Sequence, residues 1–192
     1  MIVVEALVLT VLLFVVIGGI GYVLSLYNAL VAVRTNIARA WSNIDVLLKQ
    51  RHDELPKLIK VCEGYMQHER AVFDKLSEAR NLLAKAQTVA ERAGAENMLT
   101  RALGGIFAVA EAYPDLKANQ AFLQLQSRIT DVENQIADRR EFYNDVVTTW
   151  NTRIQQIPDM YVASWLAAQP AELFKVAERD REDVEVSFKL TA

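Results

Sequence analysis

The residues of this chain that could do chemistry are few, and their spacing matches no familiar metal site. The only histidines are His52 and His68, and neither has a glutamate three residues before it, the Glu-x-x-His spacing with which helical bundles bind metal ions. His52, Asp53 and Glu54 are consecutive, so on a helix their side chains point in three directions and cannot chelate one ion. We therefore predict that the protein has no metal site and no cofactor.

The single cysteine is the one candidate nucleophile. Cys62 falls on an apolar helical face with Ile59 and Met66, where a thiol is usually an inert core residue. One thiol cannot form an intrachain disulfide, which fits a reducing compartment. The sequence also lacks Gly-x-Ser-x-Gly, a glycine-rich phosphate loop, His-Glu-x-x-His and paired-cysteine zinc patterns. We predict no catalytic residues and a protein that is not an enzyme.

An uncharged segment near the N-terminus predicts a membrane anchor. The 21 residues from Ala6 to Leu26 include no Asp, Glu, Lys, Arg or His. At about 1.5 Å per residue they cover the roughly 30 Å of a bilayer core. A buried soluble helix is one alternative. A cleaved signal peptide is another, but it would need a basic start and a small-residue cleavage site, and Glu5 and Leu24-Ser25-Leu26 fit neither. Residues 1–26 are therefore expected to form a retained single-pass anchor.

The charges around this segment predict its orientation. No Lys or Arg precedes it, whereas Arg34, Arg39, Lys49 and Arg51 follow. Basic residues favour the cytoplasmic side of a membrane, so the N-terminus is expected outside and the remaining chain in the cytoplasm. The formal net charge of −3 argues against a nucleic-acid partner.

The stretch Leu26–Pro56 is the element around which the other helices are expected to pack. Its apolar residues alternate steps of three and four, the seven-residue period of a coiled-coil seam; they are Leu30, Val33, Ile37, Ala40, Ile44 and Leu47. No Gly or Pro lies between Tyr22 and Leu55, so the membrane helix should continue into the cytoplasm as one rod. Pro56 is predicted to interrupt this rod, either by kinking it or by starting a new helix.

Further helical patterns supply partners for that seam. Helical spacing resumes at Leu55 and continues to about Ala90, with packing expected to outweigh the cost of Gly64. A turn is predicted at Glu91–Ala95, with Gly94 as a left-handed cap. A short helix ends at Pro114, and a second long helix begins near Leu116 and ends before Pro158.

The predicted fold class is all-α, with a transmembrane helix that continues into the long kinked helix of an antiparallel bundle. The predicted domains are residues 1–26 as anchor, 27–158 as cytoplasmic bundle, and 159–192 as a tail with a short amphipathic segment. Within the tail, Val184–Phe188 looks extended. The aromatic segment Met160–Phe174 allows two interpretations: contact with lipid headgroups, or packing onto the end of the bundle, which we favour.

Polar residues beside the two long seams form the remaining candidates. Asp45 with Arg139 or Arg153 would make buried or half-buried ion pairs that fix the register of the helices. Solvent exposure of these side chains is the alternative.

Four stretches carry a resemblance to a known family. They are YNALVAVRTNIARAWSNIDVLLKQRHDELPKLIKVCEGYMQHE, AVAEAYPDLKANQAFLQLQ, ENQIADRREFYNDVVTTWNTRIQQIP and the closing EVSF. Together they resemble the LemA family of bacterial membrane proteins. The matching positions that are interaction candidates are Tyr27, Asn28, Arg34, Asn36, Trp41, Asp45, Arg51, Pro56, Tyr113, Pro114, Asp115, Arg140, Tyr143 and Asn144, to which we add Trp165. The chain departs from the family pattern in polarity at Leu48 and Glu54.

The resemblance implies an inner-membrane anchor with its N-terminus outside, and a cytoplasmic antiparallel bundle. The family has no established enzymatic activity, so the resemblance implies none for this chain. Some members are linked to a heat-shock membrane metalloprotease, and a related branch acts in magnetosome membrane formation. Our first functional hypothesis is a homo-oligomeric scaffold that organises the membrane or partner proteins. The second is an adaptor for a membrane protease or signalling partner. An enzyme that uses Cys62 or the histidines is the third.

Overall fold

The computed structural model describes residues 1–66 and 68–175, and all regular structure in these ranges is helical. The helices are α1 (Ile2–Glu63), α2 (Arg70–Lys85), α3 (Val89–Ala110), α4 (Pro114–Lys117), α5 (Gln120–Arg153) and α6 (Asp159–Trp165). The described ranges contain no strand, so the all-α prediction is confirmed for them. The extended segment predicted at Val184–Phe188 lies outside the described residues.

Helix α1 includes both the uncharged segment and the seam that follows it. It is long and apolar enough to cross a membrane, and all residues up to Ser25 are exposed. The helix continues through Pro56, so the proline does not end it. Pro56 is exposed, while its neighbours Leu55 and Leu58 are fully buried. Their packing offsets the backbone hydrogen bond that the proline cannot donate.

The end of α1 differs from the prediction of a helix reaching about Ala90. The helix ends at Glu63, and Gly64 begins a turn in which the amides of Tyr65 and Met66 both donate to the Cys62 carbonyl, at 2.9 and 2.8 Å. The expectation that packing would outweigh the cost of Gly64 is therefore wrong.

The connection between α2 and α3 also lies elsewhere than predicted. Gly94 and its neighbours are inside α3, and the turn occurs at residues 86–88. Thr88 caps α3 by accepting a hydrogen bond from the Glu91 amide at 3.1 Å, and the Glu91 carboxylate accepts one from the Thr88 amide at 3.2 Å. This capping box satisfies two otherwise unpaired amides, so it begins the helix before Gly94 can end it.

The second long helix ends before Pro158 as predicted, but it begins at Gln120, because Leu116 belongs to the separate short helix α4. Pro114 is the first residue of the short helix α4, a position where its missing N–H costs nothing. Asn119 then begins α5, because its side-chain oxygen accepts from the amides of Ala121 and Phe122 at 2.9 and 3.2 Å. Helix α5 ends at Arg153, before Pro158 as predicted.

The chain divides into two compact units. The first comprises residues 1–46 and 138–172, and its core contains Leu30, Trp150, Val162 and Ala163. Among the described residues, the second comprises those of 47–137 and 173–175. Its larger core runs from Leu55 on α1 to Ile129 on α5 and includes buried residues of α2, α3 and α4.

Candidate functional site

The residues first considered for chemistry are not assembled into a reactive site. Cys62 is fully buried in the second unit, and burial raises the pKa of its thiol to about 11. His52 and His68 are both exposed. Among the residues that the structure describes, no group of three or more His, Cys, Asp or Glu side chains could hold a metal ion.

The most unusual polar feature of the second unit is a buried arginine. Arg51 on α1 is fully buried, and its guanidinium forms ion pairs with Glu96 of α3 and Glu133 of α5. It also donates to the Thr100 hydroxyl at 3.1 Å, and that hydroxyl in turn donates to Glu133 at 3.0 Å. We call these four residues the Arg51 cluster. It joins three helices of one unit through charge-assisted hydrogen bonds.

The electrostatics of the Arg51 cluster favour a structural role. Burial lowers the pKa of the Arg51 guanidinium below its ordinary range, and the Glu133 carboxylate raises it in part. A fixed guanidinium enclosed by carboxylates leaves no open position for a substrate. The sequence analysis marked Arg51 but missed Glu96, Thr100 and Glu133. A local signal existed for Arg51 alone: continuing the seam four residues beyond Leu47 reaches position 51.

The interaction candidates Tyr113, Pro114 and Asp115 lie in the connection before α5. The Tyr113 hydroxyl donates to Glu69 at 3.0 Å, and this contact raises the pKa of the tyrosine. Pro114 begins α4, while Asp115 is exposed in its first turn. These positions therefore shape a turn of the backbone.

Three side chains of α5 hold the segment that follows α6 in the first unit. The Tyr143 hydroxyl donates to the Glu172 carbonyl at 3.0 Å, and Trp150 donates from its indole to the Gln169 carbonyl at 2.9 Å. Asn151 both donates to the Ala171 carbonyl and accepts from its amide, at 3.0 and 2.8 Å. The Tyr143 ring also packs on Trp41, with centroids 5.5 Å apart.

The structure gives Arg153 a different acidic partner from the Asp45 that the sequence predicts. Arg153 donates from Nε to Asp159 of α6 at 2.5 Å, so its acidic partner lies six residues away in the sequence. Asp45 and Arg139 occupy exposed positions. Asp45 is engaged in a contact although it is exposed, so its role in fixing the register of the helices stays a prediction.

The other interaction candidates of the first unit differ in their exposure to solvent. Asn28, Arg34 and Asn36 are exposed on α1. Arg140 and Asn144 are half-buried on α5 and engaged in contacts. These candidates of the first unit are therefore divided between an exposed group on α1 and a half-buried group on α5.

Helix α6 forms an apolar groove with α1. Val162 and Ala163 pack into the core as favoured from the sequence, but Trp165 is 79% exposed, which corrects that expectation for its ring. A groove of about 560 Å³ lies between this ring and α1. Its lining residues are Val16, Gly19, Ile20, Val23, Leu24, Tyr27 and Trp165. We call it the Trp165 groove.

These features define a class of protein: an all-helical chain whose first helix can cross a membrane and whose buried polar contacts hold its helices together. A family model described as the LemA family matches residues 40–188. The chain belongs to the LemA family. The match begins at Ala40, so Tyr27, Asn28, Arg34 and Asn36 precede it.

Individual relatives are similar at modest identity. Magnetosome protein MamQ 2 of Paramagnetospirillum magneticum is 25% identical over 186 residues, covering 83% of this chain and 68% of the relative. Protein LemA of Metamycoplasma hominis is 27% identical over 161 residues, covering 83% and 74%. Magnetosome protein MamQ of Magnetospirillum gryphiswaldense is 23% identical over 174 residues, covering 77% and 64%.

Proposed function

We propose that this protein is a non-enzymatic scaffold, anchored in the bacterial inner membrane by α1 and assembled as a homo-oligomer. The observation that carries the proposal is the continuity of α1, which extends for 62 residues from its apolar end to Glu63. The part that follows Leu26 would reach roughly 55 Å as a helix. A helix of this length can couple a bilayer to other proteins at a fixed distance.

Exposed apolar side chains support self-association. Val31 and Val46 of α1 and Phe142 of α5 are large, exposed and in the first unit. Contact with a second copy would remove their apolar surface from water, which is favourable in proportion to the area buried. The assembly would bring parallel copies of α1 together.

Two further observations favour a scaffold over an enzyme. The one thiol is enclosed by the core, and the Arg51 cluster is occupied by its own partners. Relatives named as magnetosome proteins are compatible with a role in membrane organisation, and we extend that role to this chain as part of the proposal.

The oligomeric state tests the proposal. The full-length protein should be extracted from its membrane in polymer nanodiscs, and its mass measured by light scattering over a range of concentrations. We expect a mass well above the 21.6 kDa of one chain. Val46→Asp should shift the population towards monomer, whereas Asn43→Asp, which adds the same charge at an exposed polar position, should not. A monomer at every concentration would overturn the proposal.

The alternative function is an adaptor for a membrane protease or signalling partner. The exposed aromatic residues Tyr161 and Trp165 favour it, because such side chains are common in protein interfaces. A photo-crosslinking residue at position 165 should then capture one defined membrane protein. Capture of another copy of this chain would support the scaffold instead.

A further inference from the structure

The outward surface of α6 is apolar and uncharged. Ile157, Tyr161 and Trp165 are 71%, 65% and 79% exposed, and Met160 lies beside them at the edge of exposure. We call these four residues the α6 surface. From Ile154 to Ala171 the only charged residue is Asp159, which is buried and paired with Arg153. This surface therefore offers no charge to water.

The orientation of the α6 surface is fixed by the protein. Val162 and Ala163, on the other side of the helix, are buried with Leu30 and Trp150. The Trp150 indole also holds the Gln169 carbonyl, which follows α6. Because these contacts bury one side of a seven-residue helix, the other side must remain outward.

The part of α1 beside which Trp165 lies indicates what covers the α6 surface. The Trp165 groove extends along α1 to Tyr27 and includes Ile20, which lies six residues before Leu26, the last residue of the uncharged segment. That separation is about 9 Å along a helix. Helices that lie in a membrane interface bury their apolar side by about 5–10 Å, and Trp and Tyr favour this depth. The groove that the ring lines therefore runs from the outer acyl chains to their boundary with the headgroups.

The Trp165 groove is continuous with the surface of the span. Val16 and Gly19 line its deeper end, and both are exposed residues of the segment that acyl chains would surround. A side chain added at Gly19 would meet no atom within 4 Å, so the glycine leaves this end of the groove open. Lipid that covers the span can enter the groove without displacing protein.

We propose that the α6 surface lies in the membrane interface and that the Trp165 groove holds the upper part of a lipid acyl chain. The proposal rests on the anchorage of α1 and does not depend on the oligomeric state. It gives the protein a second membrane contact, made by a part of the chain more than a hundred residues from the anchor.

Depth-resolved tryptophan quenching tests the proposal. The variant W41F/W150F, which keeps Trp165 alone, would be reconstituted at full length in phosphatidylcholine vesicles. One set of vesicles carries lipids brominated near the headgroup and the other carries lipids brominated near the chain ends. Trp165 should be quenched at least about twofold more by the shallow bromines, as expected for a ring at interfacial depth. Aqueous acrylamide should quench it weakly.

Two matched single-tryptophan variants calibrate the result in the same background with Trp165→Phe. Phe14→Trp places the ring inside the span and should be quenched most by the deep bromines. Leu123→Trp, an exposed position on α5 that is not part of the proposed contact between copies, should be quenched by acrylamide alone. If replacing Trp41 and Trp150 disturbs folding, the difference between the otherwise unchanged protein and its Trp165→Phe variant supplies the same signal.

The outcomes separate this proposal from the anchorage beneath it. If the deep bromines do not quench the Phe14→Trp variant, α1 does not anchor the protein, and the proposed function fails. Quenching at position 14 with acrylamide quenching at Trp165 would place the α6 surface in water and overturn the inference. Protection of Trp165 from both bromine and acrylamide would mean that protein covers it, and would overturn the inference as well.

Discussion

Arg51 is fully buried on α1 and is held by carboxylates from α3 and α5. Replacing it with alanine leaves Glu96 and Glu133 without their cation in a poorly solvated site. Breaking a buried ion pair in this way typically costs about 3–5 kcal/mol. We therefore expect Arg51→Ala to lower the free energy of unfolding by about that amount, measured by denaturant titration.

The control for Arg51 is another arginine of the same helix. Arg39 is exposed, so Arg39→Ala should change stability by no more than about 0.5 kcal/mol. A rescue variant, with Arg51→Met, Glu96→Leu and Glu133→Leu together, should recover much of the loss because it leaves no unpaired charge. Equal stability of the Arg51 and Arg39 variants would contradict a structural role for the cluster.

Cys62 permits a second test at this scale. Burial raises the pKa of the thiol to about 11 from its ordinary 9.0, so the native protein should react slowly with a disulfide reagent at neutral pH. Unfolding should make the reaction fast. The thiol favours the folded state below pH 9, and this contribution is lost as the pH rises through about 11, because the unfolded chain ionises first. Cys62→Ala should weaken that alkaline dependence. Rapid labelling of the native protein would show that the thiol is accessible.

The limit of sequence reasoning is clearest at Arg51. Its place on the α1 seam follows from local periodicity, which one helix alone determines. Its partners are 45 and 82 residues away on helices whose rotation is set by the core as a whole. No local spacing links position 51 to Glu96, Thr100 or Glu133, so the cluster was not predictable from the sequence pattern.

The start of α3 gives a test at the level of a helix. Thr88 and Glu91 exchange hydrogen bonds across the first turn, and Thr88→Ala should cost about 1 kcal/mol. Ser77→Ala, at an exposed position inside α2, is the control and should be nearly neutral. Thermal melts can compare the two. A larger loss for the Ser77 variant would argue against the cap.

The same cap should respond to acid. Hydrogen bonds from the amides of Gln87 and Thr88 hold the pKa of the Glu91 carboxyl below its ordinary value. The stabilisation is therefore present above the pKa of the unfolded chain and is lost as the pH falls through the lowered value. Glu91→Gln should flatten this part of the stability profile, measured from pH 7 downward.

Helices were easier to predict than the points where they begin and end. The seam of α1 depends on repeated burial, and its predicted residues Leu30, Ala40 and Ile44 are indeed buried. Helix ends depend on competition between neighbouring signals. Gly64 ends a helix where Gly94 does not, because the capping box at Thr88 had already committed Gly94 to a helix.

For the whole molecule, the distribution of basic residues predicts the N-terminus outside and the remaining chain in the cytoplasm. In a Cys62→Ala background, Ile2→Cys should react with a membrane-impermeant maleimide added to spheroplasts, whose inner membrane is sealed. His52→Cys, also at an exposed position, should react only after permeabilisation. The reverse pattern of labelling would invert the orientation.

The hydrogen bonds to the segment after α6 could not be predicted from residue types. Tyr143, Trp150 and Asn151 bind its backbone, but only Tyr143 was a candidate from the sequence, and the carbonyl that it binds could not be predicted. A carbonyl group looks the same in every residue. Only the path of the chain identifies which carbonyl is reached.

That mode of attachment does not use the exposed side chains of Gln169 and Glu172, whereas Ala168 and Ala171 pack against the core. The carbonyls of Gln169, Ala171 and Glu172 would still be present after substitution by almost any other amino acid. This part of the chain can therefore change its outward chemistry while its course is retained. Positions 169 and 172 are therefore practical ones at which to install a label without loosening the fold.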